Sequence, residues 1–432
     1  MENLKVLLLS ASPMRTDTNM GKTFLTLLSD ISKAELCQLY FGPQTPNVDR
    51  CNSYYRVCEK QLIRSFFGLI KGSCGGEVAP TLSGVNATIP QDNALALTRR
   101  KGTAYMRIAR EAVWHMSHWK NAALKEWIER EKPNVIFTIM HDTNAGARAT
   151  TWLAKRYHIP VVLFITDDYY HDQENSKNIF RKLYYAARQR ANRQLGSVCK
   201  MVTACSQEGR DYFVETLKIA GGDVLYTPSA EAFLALPLKR QSSSGVVRIR
   251  YFGNLGLERY RMLGEIGRAL QRLNRDGVQA MLEVYSSNSD SNITDSLNIE
   301  NGSVFKGWVY GDGYMALLQD ADIVIHTESF SEDCVRRTWA SVSTKIADCL
   351  GAGKCILGVG PANVASMRHI RDAAFMVDDM DDLDAALQKL ISDAALRESL
   401  QEKARALAMR DHDIGRIGAK VRSLLEAAAR RR

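Results

Sequence analysis

The sequence predicts an α/β chain built from two Rossmann-like units, and three observations carry that prediction. Short apolar runs at 6–9, 135–140, 160–166 and 281–285 alternate with helical periodicities, the pattern of buried parallel strands joined by right-handed crossovers. The strand–glycine loop–helix pattern then restarts after a polar stretch, QSSSG at 241–245, whose composition suits a linker. Finally, 432 residues are too many for one ordinary core.

Composition narrows the class. Hydrophobic residues make up 45% and charged residues 24%, as in globular proteins. The net charge of +9 favours acidic partners such as nucleotide-sugar phosphates, nucleic acid or anionic lipid. The nine cysteines include no C-x-x-C pair, which fits a reducing compartment better than a disulfide framework or zinc ribbon. The opening MENLKVLLLS has too short an apolar run for a secretory signal, and no run approaches the roughly 20 apolar residues of a spanning helix. The expectation is a cytoplasmic protein able to lie on a membrane surface.

Taken in order, run 6–9 leads through a polar loop to Gly21, which opens a helix over KTFLTLLSD. No G-x-G-x-x-G follows, so a dinucleotide site is not supported. A second strand is expected at 35–41. Residues 42–100 offer one apolar patch, QLIRSFFGLI at 61–70, before helical periodicity resumes at 102–131. Strand 135–140 ends in HDTNAGA, with His141 at its carboxyl end, and strand 160–166 ends in ITDDYYHD. Open α/β sheets bind ligands outside the carboxyl ends of their strands, so Asp167, Asp168 and His171 stand where chemistry can occur. Helix capping and solvation account for the same residues equally well. A basic helical stretch to about 195 and then CKMVTACSQEGRDYF, a strand, serine turn and helix, complete the first unit.

In the second unit, strand 246–251 runs into the loop GNLGLERY, where Gly253 lets the backbone approach a phosphate. VFKGWVYGDGYMALLQDADIVIHTES reads as strand, Gly307, amphipathic helix and a strand ending at Glu328 and Ser329. Residues 341–361, SVSTKIADCLGAGKCILGVGP, read as loop, short helix, glycine turn and buried strand. Ser343 and Thr344 are candidate caps and Lys345 sits in the first turn. A helix N-terminus with a lysine beside it suits an anion. The tail from 381 is almost entirely helical.

These stretches together resemble the group 1 glycosyltransferases, a large retaining group with the GT-B fold. STKIADCLGAGKCIL matches the second half of the family's donor-site segment. Asp348 takes the place of its second acid, usually Glu, which contacts the donor's ribose or sugar hydroxyls. Eight positions earlier the first acid is replaced by Ala340, and Cys355 replaces the usual proline. GNLGLER resembles the family's phosphate loop, with Asn254 inside it and Arg259 where lysine is usual. Trp308, Val309 and Tyr310 fall where related proteins face the nucleobase. Either Glu328 or Glu332 is placed to stand in for the missing acid. On the acceptor side the resemblance points to Gly21, His141, Asp167, Asp168 and His171.

The resemblance implies two Rossmann-like domains facing across a cleft. An acceptor domain would span 1–235, a linker 236–246 and a nucleotide-sugar domain 247–411, with helix 412–432 crossing back to the first. It implies transfer from a nucleotide-diphosphate sugar, a substrate rather than a cofactor, to a glycan or lipid-linked acceptor. Negative charge grows on the leaving β-phosphate and must be stabilised in the transition state. Arg259, Lys345 and the helix N-terminus at Ser343–Thr344 supply that without a metal. The one D-x-D triplet considered, Asp411–His412–Asp413, reads as a chance match. From spacing alone Arg259 is a surface arginine and Asp348 a partner of Lys345. Two rivals share the fold: a nucleotide-sugar epimerase and a non-catalytic scaffold or glycan-binding protein. A nucleic-acid partner is not expected, because KLYYAARQRANR sits in no recognisable module. Membrane contact would come from 61–70 and from 177–193, where cations edge apolar residues.

Overall fold

The computed structural model describes residues 3–66, 74–82, 104–170, 178–241 and 245–430. The chain forms two compact units, one comprising Met1–Leu225 with Gly418–Arg432 and the other Tyr226–Ile417.

Unit 1 is an eight-stranded sheet in the order β4-β3-β2-β1-β5-β6-β7-β8. Its strands are β1 (Val6–Ser10), β2 (Leu36–Tyr40), β3 (Ser53–Arg56), β4 (Gly76–Glu77), β5 (Val135–Ile139), β6 (Val161–Ile165), β7 (Cys199–Ala204) and β8 (Gly222–Val224). All pair in parallel except β4, which runs against β3. The unbroken apolar runs are explained by position: β1 and β6 are buried along their whole length. The helices are α1 (Asn19–Leu27), α2 (Glu59–Phe66), α3 (Ala104–Met116), α4 (Ala122–Glu131), α5 (Asn144–Tyr157), α6 (Ile179–Gly196) and α7 (Gln207–Leu217). Local capping fixes several starts: the side-chain oxygens of Asn121, Asn178 and Ser206 each accept a first-turn amide.

Unit 2 contains β9 (Val247–Phe252), β10 (Ala280–Tyr285), β11 (Ser303–Gly307), β12 (Ile323–Thr327), β13 (Cys355–Val359) and β14 (Phe375–Val377). Their order is β11-β10-β9-β12-β13-β14, all parallel. That is the doubly wound 3-2-1-4-5-6 order, with its switch point between β9 and β12. The ladder there joins only Ile323 to Ile249 and Val324 to Arg250, so the two strands part toward their carboxyl ends. The helices are α8 (Glu231–Leu234), α9 (Arg259–Leu273), α10 (Ser291–Asp295), α11 (Gly311–Asp320), α12 (Glu332–Thr338), α13 (Thr344–Gly351), α14 (Ala365–Ile370), α15 (Leu383–Ser392), α16 (Ala394–Asp411) and α17 (Ile414–Arg430).

The boundary falls at Leu225/Tyr226, ten residues before the expected 235/236. Backbone and side-chain bonds hold the intervening segment to unit 2. Ser229 N donates to the His412 carbonyl, and Arg405 donates to the carbonyls of Leu234 and Leu236. The expected linker is likewise tethered: Arg397 Nε donates to Gln241 Oε1, and Lys239 pairs with Asp322 at 2.6 Å. From Gly418 onward α17 belongs to unit 1, where Arg422 pairs with Asp30 and Glu35 at 2.9 Å each and Lys420 with Asp223 at 2.9 Å.

Candidate active site

The turn leaving β9 sets the first cluster of candidate residues in unit 2. Tyr251 Oη donates to the Asn254 carbonyl, and a Cβ at Gly253 would lie 2.8 Å from that hydroxyl oxygen, so any larger residue would displace the Tyr251 ring. Asn254 Oδ1 accepts from Gly256 N at 2.6 Å. Leu257 and Glu258 follow with φ of 55° and 58°, two consecutive non-glycine residues in the left-handed region. Each such residue costs roughly 1–2 kcal/mol. Ser329 Oγ, just beyond β12, holds the turn by donating to Glu258 Oε2 at 3.1 Å. The turn delivers Arg259 as the first residue of α9.

Arg259 is half-buried in an ion pair rather than fully exposed. Its Nη2 donates to both carboxylate oxygens of Glu328, at 2.9 and 2.8 Å, and its Nε to the Thr327 carbonyl at 3.2 Å. The surface-arginine reading is therefore wrong. Nη1 has no hydrogen-bond partner among the described residues. Burial is the largest influence and works to lower the guanidinium's pKa, but the charge and hydrogen bonds of Glu328 together with the neighbouring Tyr251 leave the net shift upward. Glu328 is 2% exposed, and burial raises its carboxyl against the pull of Arg259. His326, half-buried with Nε2 3.6 Å from Glu328 Oε1, is pushed down to about 3 by desolvation and by the Arg259 charge, so its imidazole is neutral near pH 7. Gly360, at φ 153°, lets the chain after β13 pass Glu328, since a Cβ there would lie 2.9 Å from the Glu328 carbonyl oxygen.

A second cluster of candidate residues stands on α13. Ser343 is its N-cap residue without a side-chain cap bond; its own N–H donates to Ser366 Oγ at 3.1 Å, and Thr344 is the first helical residue. Lys345 Nζ sits 3.3 Å from Asp348 Oδ2 and 4.2 Å from the centre of the Tyr314 ring. Tyr314 Oη donates to the same carboxylate oxygen at 3.1 Å. Lys345 and Asp348 thus form one cluster with a tyrosine from α11. Ala340 is buried ahead of α13. Of the two acids considered for its role, Glu328 is the buried one beside Arg259, whereas Glu332 is exposed in the first turn of α12. Trp308 and Tyr310 are 56% and 66% exposed around Val309, after the Gly307 turn at φ 80°.

The residues singled out in unit 1 are more enclosed than expected. Gly21 is the third residue of α1, not its opening, and a Cβ there would lie 2.4 Å from the Arg15 carbonyl oxygen, so it lets the preceding loop fold back on the helix. His141 is 2% exposed, bonded to Thr138 Oγ1 at 3.0 Å, with its ring where a Cβ on Gly146 would fall. It anchors the start of α5, and its burial argues against contact with a substrate. Asp168 is buried and accepts from Tyr170 N at 3.0 Å, so it stabilises the turn after β6. Asp167 is exposed and accepts from Thr166 Oγ1 at 3.3 Å. His171 lies outside the described residues.

The D-x-D triplet disperses its side chains. Asp411 pairs with Arg410 at 2.8 Å, His412 bonds His369 and the Thr227 carbonyl, and Asp413 Oδ1 caps Arg416 N. The apolar patch at 61–70 also differs from the expected interfacial face: Leu62 is fully buried, while 67–70 lie outside the described residues. In α6, Tyr184, Tyr185 and Arg188 are core, with the Arg188 guanidinium 4.7 Å from the Tyr185 ring centre; Ile179, Phe180 and Leu183 are exposed. No helix among the described residues is long and apolar enough to cross a membrane.

Tyr314 and the Arg259–Glu328 pair carry no sequence signal of their own. Tyr314 lies inside an ordinary amphipathic helix, and the pair joins residues 69 positions apart.

Residues 265–423 match the family described as glycosyl transferase-like. That span contains the 341–361 stretch, and the resemblance to group 1 glycosyltransferases holds there. No curated protein sequence matches the chain. Among solved structures, HepE from Anabaena in complex with UDP is similar with a TM-score of 0.58 at 11% identity, over 98% of this chain and 100% of that one. Sucrose-phosphate synthase from Thermosynechococcus elongatus is similar with a TM-score of 0.62 at 11% identity, over 98% and 99%. The E. coli trehalose-6-phosphate structure bound with UDP-2-fluoro glucose is similar with a TM-score of 0.61 at 10% identity, over 99% of each chain. At these identities the likeness shows the fold, which is GT-B.

Proposed function

We propose, starting from a GT-B chain whose second unit matches the glycosyl transferase-like family, that the protein transfers a sugar from a nucleotide-diphosphate sugar to a glycan or lipid-linked glycan, with retention at the anomeric carbon. The observation that carries this is Arg259 at the switch point of unit 2, bound through Nη2 and Nε with Nη1 left for a ligand. Two structural neighbours bind UDP or a UDP sugar, HepE in complex with UDP and with UDP-glucose among them, which supports a nucleotide-sugar donor.

In this reading, breaking the anomeric C–O bond leaves negative charge on the β-phosphate. Arg259 Nη1, Lys345 Nζ and the Thr344 amide at the start of α13 stabilise it, each interaction strengthening as the charge develops. Glu328 holds the guanidinium in orientation and supplies the acid missing at Ala340. Asp348, fixed by Tyr314, accepts from a donor hydroxyl. The exposed rings of Trp308 and Tyr310, with Val309, face the base, while Gly253 and Asn254 shape the phosphate loop. Asp168 and Asp167 position the acceptor, a role that needs no strong base in front-side attack. Fixed cations make a divalent metal unnecessary, so activity survives EDTA. Exposed Ile179, Phe180 and Leu183 beside exposed Arg181 and Lys182 give a patch for reversible contact with an anionic membrane. Sedimentation with anionic liposomes at low and high salt tests that part; protein left in the supernatant at low salt contradicts it.

The direct test is nucleoside-diphosphate release from a panel of nucleotide sugars, with and without glycan acceptors. Release stimulated by an acceptor supports the reading. Conversion of the donor sugar without release points to an epimerase, and binding without turnover to the scaffold that Ala340 keeps in play.

A further inference from the structure

Unit 1 carries a groove of about 730 Å³ among its helices, within the size range of small-ligand sites. Three helices each present one stripe to it. Arg148, Thr151, Trp152 and Lys155 are spaced three or four apart on α5 and share a face. On α6, Ala187, Arg190, Ala191 and Gln194 do the same, and α3 contributes Glu111 and Trp114. Ala145, Ala187 and Ala191 keep the space open because larger side chains there would fill it.

The floor is aromatic. The Trp114, Trp119 and Trp152 rings meet edge to face, with centroids 6.1 and 5.5 Å apart. The rim is cationic. Lys120 Nζ lies 5.3 and 5.2 Å from the Trp119 and Trp152 ring centres, and Arg148, Lys155, Arg156 and Arg190 stand around it. None of Lys120, Arg148, Lys155 and Arg190 is in a salt bridge among the described residues. The opposing acid is Glu111, 8% exposed: its Oε1 accepts from Asn144 N at 3.1 Å, while Oε2 is buried with no hydrogen-bond partner among the described residues.

The ligand's chemistry follows. Trp114 and Trp119 are only 5% and 4% exposed, too little for a sugar ring to stack on, and the surface they do present to the groove is apolar. The cations on α5 extend over about 10 Å of helix, enough to follow a charged head away from the floor. We propose that this groove binds a phosphate-headed amphiphile, its apolar chain over the tryptophans and its head among Arg148, Lys155 and Arg190. This is a site apart from the unit 2 donor residues and does not depend on the transferase reading.

Calorimetric titration of the full chain tests it with three probes: dodecyl phosphate below its micelle threshold, inorganic phosphate and dodecyl maltoside. Dodecyl phosphate should bind, and each of the others should bind at least about tenfold more weakly. Ala187→Trp, which fills the groove, and the double variant Lys155→Glu/Arg190→Glu should each lose about tenfold or more in dodecyl phosphate affinity with melting midpoints unchanged. The proposal is overturned if inorganic phosphate binds as tightly, which would make this a plain anion site. It is equally overturned if dodecyl maltoside binds as tightly, if dodecyl phosphate does not bind, or if the folded variants bind like wild type.

Discussion

Arg259 and Glu328, 69 residues apart, meet at the two strands that flank the switch point, with Arg259 Nη2 2.9 and 2.8 Å from the two carboxylate oxygens. The pair joins the first residue of α9 to the end of β12, with the carboxylate buried and the guanidinium half-buried. Its function and its contribution to stability are therefore coupled.

Arg259→Ala is expected to destabilise unit 2 as well as abolish transfer. It strands the Glu328 charge in the interior, a change that costs about 3–5 kcal/mol. The double variant Arg259→Met/Glu328→Gln should recover most of that stability and remain inactive. Denaturant melts with activity assays check both; a single variant as stable as wild type would contradict the pairing.

Lys345→Ala should behave differently. Its ammonium is partly exposed and shares Asp348 with Tyr314 Oη, so the loss of stability is under about 1 kcal/mol. Transfer should fall by about 10²–10³, the effect of losing one donor to developing charge. A wild-type rate would remove Lys345 from the site.

The pH dependence of stability has two opposite components. Burial pushes the Glu111 carboxyl up to about 7 from an ordinary 4.5, so the folded chain holds an extra proton between those values. Stability then falls as pH rises through that window, by on the order of 3 kcal/mol. His369, 2.8 Å from His412, is pushed down to about 3 from 6.5 by burial and then by His412. Here the unfolded chain binds the proton, so stability is lost as pH falls below about 6.5. Melting curves from pH 4 to 8 should show Glu111→Gln flattening the upper side and His369→Gln the lower; variants that parallel wild type throughout would refute both.

Asp168→Asn keeps the oxygen that accepts from Tyr170 N and removes the charge. Acceptor-dependent turnover should drop while donor binding stays the same. Equal kinetics toward donor and acceptor in this variant would assign Asp168 a turn-stabilising role alone.

Much of the fold was legible because buried parallel strands write themselves as apolar runs: β1, β5, β6 and β13 stand where those runs stand. β3 and β4 were not, since strands of four and two residues carry too little periodicity. The 341–361 stretch located the Lys345–Asp348 cluster because its parts are local. Arg259–Glu328 and Tyr314–Asp348 depend on chain crossings that no spacing encodes. His141 misled because a polar residue at a strand end reads as a ligand contact, whereas Thr138 and the absence of a side chain on Gly146 draw it inward.

The central claim is a nucleoside-diphosphate site in unit 2, and the melting midpoint of the full chain across a panel of nucleoside diphosphates tests it most directly. One of them, at 100 times its dissociation constant, should stabilise the native state by about 2.7 kcal/mol, and Lys345→Ala should remove most of that gain. A panel in which no nucleoside diphosphate raises the wild-type midpoint, or in which Lys345→Ala responds like wild type, would contradict the account.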